Sequence, residues 1–164
     1  MKDFDDIFIS NIEFSKNFVS NGQTGFANRG LAIVTCIDSR IAPLAIVGMQ
    51  PGDAKIMRNA GARVTEDVLR TLVLATALLG VDRILVMPHT DCRMASGSEE
   101  EIHQAILEKT GIDSRAIEIR TVKDQISALK LDIQRIKSSP HLPNYISVVG
   151  AIYDVNSGVL NKVE

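Results

Sequence analysis

The chain has 164 residues, with 18 Lys and Arg against 20 Asp and Glu, for a formal net charge of −2. At this length a globular chain buries roughly 68–70% of its unfolded surface, and 45% hydrophobic with 23% charged residues is ordinary core-forming composition, so one domain over residues 1–164 is expected. The near-neutral balance gives no basic field for a polyphosphate and 4% aromatic residues leave few stacking platforms, which excludes nucleic acid as the main partner.

Residues 1–8, M-K-D-F-D-D-I-F, are acidic where a secretory leader would be basic and then continuously apolar, which predicts a cytoplasmic protein. Residues 4–19 carry Phe4, Ile7, Phe8, Ile12, Phe14 and Phe18 in a loose helical pattern that stops at Asn21-Gly22. This predicts an N-terminal helical arm over residues 1–25 with an apolar stripe free to pack on a partner subunit. Residues 31–37, L-A-I-V-T-C-I, form a short apolar, β-branched run of the kind that becomes a buried parallel strand, with Cys36 at its carboxyl end.

A loop with Pro43, Pro51 and Gly52 leads to a second short strand at residues 54–57, which runs into R-N-A-G at residues 58–61. Thr65 opens a helix, with Glu66 and Asp67 in the first turn where the dipole favours acids and Gly80 as the stop. That segment is interrupted by Arg70 and Thr76 and falls short of the about 20 apolar residues a bilayer requires, so no membrane span is expected. Residues 83–87, R-I-L-V-M, predict another buried strand, delivering the chain into Pro88-His89-Thr90-Asp91-Cys92. Ser98 and Glu101 form a capping box for a helix ending near Gly111, and residues 121–136 read as a further helix with Val122, Ile126, Leu129, Ile133 and Ile136 on one face. Residues 145–153 read as a strand and 156–158 as a turn into a last short strand. Strands alternating with helices predict a single α/β domain with a mostly parallel central sheet flanked by helices.

In open α/β sheets ligands bind beyond the carboxyl ends of the strands, where loops converge over a packed sheet. Cys36, Asp38 and Arg40 follow one strand end; His89, Asp91 and Cys92 follow another. Two cysteines are too few for a disulfide framework, and in a reducing compartment such a pair points to metal binding or reactivity. Catalytic zinc typically takes three nitrogen or sulfur ligands and keeps one exchangeable position, and Cys36, His89 and Cys92 supply that set. The bland alternative is a buried apolar thiol, a hydrogen-bonded core histidine and an incidental second cysteine. Against it stands C-I-D-S-R, where Cys, acid and Arg alternate along an extended segment and so project to one side. Two thiolates and a neutral imidazole leave zinc with no net charge, so its water is acidified less than at an all-histidine site and a hydrogen-bond acceptor is useful. Asp38 can accept, and the fork of Arg40 can hold that carboxylate bidentately and keep it ionised.

These residues resemble the β-class carbonic anhydrases, in the manner of their compact subgroup. C-I-D-S-R at residues 36–40 resembles the family's C-x-D-S/A-R, R-N-A-G at residues 58–61 its R-N-A-G, and H-T-D-C at residues 89–92 its H-x-x-C, in the same order along about the whole chain. The resemblance implies reversible hydration of CO₂ to bicarbonate and a proton. It implies one Zn²⁺ per chain on Cys36, His89 and Cys92, with hydroxide on zinc as nucleophile and Asp38 with Arg40 as the orienting dyad. It places Gly61 and Arg93 on the substrate side, although Arg93, standing where the family commonly has Gly, has two readings, positive charge at the bicarbonate exit or a side chain pointing to solvent, the latter slightly favoured; it also implies a homodimer or higher homo-oligomer. Arg58 and Asn59 read as loop-holding residues, Asp91 as orienting its own loop, and His103 and His141 as solvated surface histidines.

Two other readings share the ligand set. One is hydrolysis of carbonyl sulfide or carbon disulfide, since relatives resembling this family use the same zinc site with a narrower access route. The other is a non-catalytic module that binds zinc or bicarbonate, although a purely structural zinc site takes four protein ligands and only three are evident. A redox dithiol is disfavoured by the lack of C-x-x-C, and a phosphatase-type nucleophile by the four-residue step from Cys36 to Arg40.

Overall fold

Leu31–Cys36 (β1) is buried at every position, because its alternate side chains meet apolar cover on both faces of a sheet. Ala32 and Val34 join one core with Val68, Leu72, Leu129 and Ile133, while Leu31 and Ile33 join a second with Ile41 and Met87. The structure, a computed structural model, describes residues 4–20 and 22–163. In chain order it contains α1 (Asp5–Lys16), β1, α2 (Pro43–Ile46), β2 (Ala54–Asn59), α3 (Glu66–Leu78), β3 (Arg83–Met87), α4 (Glu99–Thr110), α5 (Gln125–Lys137), β4 (Ser147–Tyr153) and β5 (Leu160–Lys162).

The five strands lie in the order β2-β1-β3-β4-β5. The first four are parallel, and β5 returns antiparallel on β4. From β1 the chain moves to β2 on one side and then crosses back to β3 on the other, so the topological switch point lies between the carboxyl ends of β1 and β3. The Thr35 hydroxyl, fully buried, donates to the Met87 carbonyl at 2.7 Å and ties those two ends together.

The helix signals in the sequence act where expected. Thr65 accepts from the Val68 amide at the start of α3, and Ser98 and Glu101 complete the capping box of α4, which ends at Gly111 in the left-handed region. α5 differs, beginning at Gln125 rather than near 121. Asp124 caps it by accepting from the Ile126 and Ser127 amides, while the Val122 amide is used outside the helix, donating to Met94 at 2.7 Å. Val122 is buried, so it matched the apolar stripe without being part of the helix. α5 lies close on β4 because Gly150 has no side chain; a Cβ there would come within 3.0 Å of Ile133 and Leu129.

α1 contributes no buried residue, and Phe4, Ile7, Phe8, Ile12, Phe14 and Phe18 are all more than half exposed. Residues 1–3 and 21 of the expected arm lie outside the described residues. No helix among the described residues is long and apolar enough to cross a membrane.

Candidate active site

β1 ends on Cys36, and β3 ends two residues before His89, so the switch point brings C-I-D-S-R and H-T-D-C together. The His89 backbone is fixed by the neighbouring strand: the Thr90 amide donates to the Tyr153 carbonyl and the Tyr153 amide to the Pro88 carbonyl, both at 2.9 Å. Cys36, His89 and Cys92 are all buried, and one ligand atom from each lies within 4.8 Å of the other two.

Two features of this corner fit a metal ion. Cys36 Sγ and Cys92 Sγ are 3.9 Å apart, too far for a disulfide, whereas two thiolates on a tetrahedral zinc at about 2.3 Å each stand about 3.8 Å apart. His89 Nδ1 lies 2.8 Å from the Thr90 carbonyl, and a carbonyl can only accept, so the ring proton belongs on Nδ1. Nε2 is then a bare lone pair, buried with no hydrogen-bond partner among the described residues. Burying such an atom is unfavourable unless something takes the lone pair. Without metal, burial pushes the Cys92 thiol up to about 11, and metal binding takes the thiolate and releases the proton.

Asp38 stands beside this corner, its Oδ2 3.8 Å from His89 Nε2. Arg40 donates from Nε to Asp38 Oδ1 at 3.0 Å and from Nη2 to Oδ2 at 2.8 Å, and its backbone amide reaches Oδ1 at 2.9 Å. These bonds hold the Asp38 carboxyl well below the usual carboxylate range, the guanidinium contributing most, and Arg40 is stabilised as a cation in return. Arg58 supports the same loop from β2, donating to the carbonyls of Cys36 at 2.8 Å and Asp38 at 2.6 Å.

Asn59 closes the R-N-A-G turn by a pair of bonds, Nδ2 to the Arg63 carbonyl and the Arg63 amide to Oδ1. Gly61 has φ of 80° and Met94 lies over it; a Cβ would stand 3.2 Å from the Met94 Cβ. The turn therefore calls for glycine both by backbone conformation and by close approach. Arg93 is exposed on the short 3₁₀ turn of residues 93–95, with Nη1 3.5 Å from Ser96 Oγ, and its φ is not positive.

Several contacts escape a reading of the chain alone. Gln125 donates to the His89 carbonyl at 2.8 Å, and Asp91, with φ of 55°, turns both its carboxylate and its carbonyl onto Arg40. An acid flanked by a candidate ligand was the available signal for Asp91; nothing marks Gln125. His103 is a correction: it is buried on α4, with Nδ1 2.8 Å from Ser114 Oγ, because residues 112–120 fold back over the helix. His141 is exposed, as read.

A mostly parallel sheet with a Cys-His-Cys corner and a carboxylate-guanidinium pair at its switch point defines an α/β protein with a corner that could hold a metal ion. A family model described as carbonic anhydrase matches residues 31–128. Beta-carbonic anhydrase 1 of Mycobacterium tuberculosis is 31% identical over 160 residues, covering 97% of this chain and 96% of that protein. The crystal structure of a carbonic anhydrase from Streptococcus mutans superposes with a TM-score of 0.91 at 34% identity, over 100% of this chain and 99% of the other. A carbon disulfide hydrolase of an Acidianus species is 30% identical over 159 residues, covering 82% of this chain and 78% of that protein. The chain belongs to the β-carbonic anhydrase family.

Proposed function

We propose that the protein catalyses the reversible hydration of carbon dioxide to bicarbonate and a proton, using one zinc ion per chain held by Cys36, His89 and Cys92. The observation that carries this reading is the buried, unpartnered His89 Nε2 facing two thiols with an ionised carboxylate 3.8 Å away. Zinc, when bound, lowers the pKa of water at its open position and so supplies a nucleophile near neutral pH.

The protein's own groups do the rest. Asp38 Oδ2 is oriented to accept a hydrogen bond from the reacting water, which fixes the direction of the water's attacking lone pair. Arg40 keeps Asp38 ionised and stops it rotating. A cleft of about 580 Å³ lined by Thr90, Asp91, Cys92, Ser96 and Lys123 opens the site to solvent, giving bicarbonate and the proton a way out. Lys123 on the lining of that cleft adds positive charge where the anion leaves, Arg93 stands exposed beside Cys92, and Gly61 shapes the wall through the turn that Met94 covers.

The exposed apolar face of α1 supports a homodimer of chains that are each a single domain over residues 1–164, with the arm over residues 1–25 packing on the second copy. Two free thiols that must stay reduced to hold metal favour the cytoplasm.

Stopped-flow CO₂ hydration on protein of known zinc content, from about pH 7 to pH 9, tests the reading. Activity that a chelator abolishes and zinc restores is the expected result. The similarity to carbon disulfide hydrolases makes release of hydrogen sulfide from carbon disulfide or carbonyl sulfide the parallel assay. Sulfide release without CO₂ hydration in fully loaded protein would transfer the proposal to that substrate class, and inactivity in both assays would leave a non-catalytic zinc or bicarbonate module.

A further inference from the structure

The Arg40 guanidinium carries five N–H donors, and four of them make hydrogen bonds. Asp38 accepts from Nε at 3.0 Å and from Nη2 at 2.8 Å. The other two bonds go to a single residue on the opposite loop: Nη1 donates to Asp91 Oδ2 at 2.8 Å, and Nη2 to the Asp91 carbonyl at 3.0 Å. Asp91 reaches both positions from left-handed backbone, which costs an L residue energy and which Asp tolerates better than most.

One carboxylate on so exposed a guanidinium is a weak tether. The Arg40 side chain is 45% exposed, and solvent-screened ion pairs hold little. The Asp91 carboxylate is itself 74% exposed, so its hold depends on acting together with the Asp91 carbonyl: four bonds from two different strand ends, three to carboxylate oxygens and one to that carbonyl, leave the planar group far less freedom to turn about its stem. Asp38 gains accordingly, since both of its oxygens are placed by that guanidinium.

We infer that Asp91 is a positioning residue: it holds Arg40 from the side away from Asp38 and thereby fixes where the Asp38 carboxylate stands beside His89. Its kinetic consequence rests on the hydration activity proposed above, whereas its geometric content rests on the four hydrogen bonds alone. Asp91 touches no reacting atom and acts only through Arg40.

Asp91→Asn and Asp91→Gly separate this role from that of a turn residue. Both accept left-handed backbone, so a residue needed only for the turn is replaced equally well by either. Only Asn keeps an oxygen for Arg40 Nη1. The zinc-loaded variants are compared by kcat and KM for CO₂ hydration. The zinc-free variants are compared by solvent exchange of the Arg40 Nε–H signal in ¹⁵N NMR, assigned by its absence in Arg40→Lys.

The expected result is an Asn variant within about threefold of wild-type kcat and a Gly variant about tenfold below it, at equal zinc content, with KM moving less than about twofold. The Arg40 signal exchanges faster in the Gly variant and is close to wild type in the Asn variant. Equal behaviour of the two variants in both measurements overturns the inference. So does a raised KM at constant kcat, which assigns Asp91 to substrate binding, or loss of zinc from the Gly variant alone, which assigns it to the Cys92 loop. An Arg40 signal that responds as expected in a wild-type protein that hydrates no CO₂ supports the positioning role and rejects the proposed function instead.

Discussion

Arg63 Nε donates to Asp132 Oδ2 at 2.7 Å, joining the turn after β2 to the middle of α5, with Asp132 only 5% exposed. Two turns earlier on the same helix Gln125 holds the His89 carbonyl. α5 therefore braces the R-N-A-G turn and His89 at once, with Cys92 and Met94 lining the space between.

Removing one partner of a buried pair strands the other charge, whereas replacing both with apolar side chains does not. Asp132→Ala is expected to cost about 2 kcal/mol, below the range for a fully buried pair because solvent partly reaches Arg63. Arg63→Met with Asp132→Leu is expected to regain more than half of that. Urea unfolding of the three proteins checks both figures. A double variant no more stable than Asp132→Ala would show that the pair contributes more than charge compensation.

The sheet was legible because β1 and β3 are continuous apolar runs and the caps Thr65 and Ser98 stand at their helix starts. Cys36, His89 and Cys92 were legible because each falls at or just past a strand end, where a parallel sheet gathers its chemistry. What could not be read were links between segments distant in sequence. Nothing local marks Gln125 as the partner of His89, or Asp132 as that of Arg63. Val122 shows the converse failure: its burial and spacing imitate a helical position, but its amide belongs to Met94. His103 lies in a run of acids that looks solvated, and only the fold-back of residues 112–120 buries it.

Asp38→Asn keeps the ligands and nearly the shape of the site but removes the charge that Arg40 holds. Zinc content is expected to stay at wild type while kcat for CO₂ hydration falls about a hundredfold. Cys36→Ser is expected to lose zinc and, with it, activity. Metal analysis beside stopped-flow hydration reads both. A fully loaded Asp38→Asn protein as active as wild type would remove the dyad from the mechanism.

Zinc held as proposed would bind the folded corner and no comparable site in the unfolded chain, so its removal should lower stability by mass action. At a free zinc concentration a hundred times the Kd the contribution is about 2.7 kcal/mol, which for a chain of this length is a fall of about 5–10 °C in Tm. Calorimetry before and after chelation measures it, and the Cys36→Ser variant should show no difference between the two conditions.

On the acid side, Glu101 accepts from the Ser98 amide and then from its hydroxyl, which lowers its pKa below the ordinary 4.5. The unfolded chain thus takes up this proton at higher pH than the folded one. The stabilising contribution is complete above about pH 4.5 and disappears as pH falls through the lower folded value. Glu101→Gln keeps an acceptor oxygen but cannot titrate, so its urea midpoint should fall less than that of wild type between pH 5 and pH 3.5. Parallel falls would remove Glu101 from the acid response.

The last prediction concerns α1, none of whose described residues is buried. Phe8 is 66% exposed and Ile12 59% exposed, one turn apart on the same side of the helix. A face of this kind is stable in water when a second copy covers it. Phe8→Asp with Ile12→Asp would place two charges in that contact, where burial without a counter-charge is unfavourable. Light scattering on the eluting protein is expected to show a dimer for wild type and a monomer for the variant, with far-UV dichroism of the sheet and the remaining helices kept. A variant that stays dimeric would place the subunit contact elsewhere on the molecule and leave the arm's apolar face without its proposed occupant.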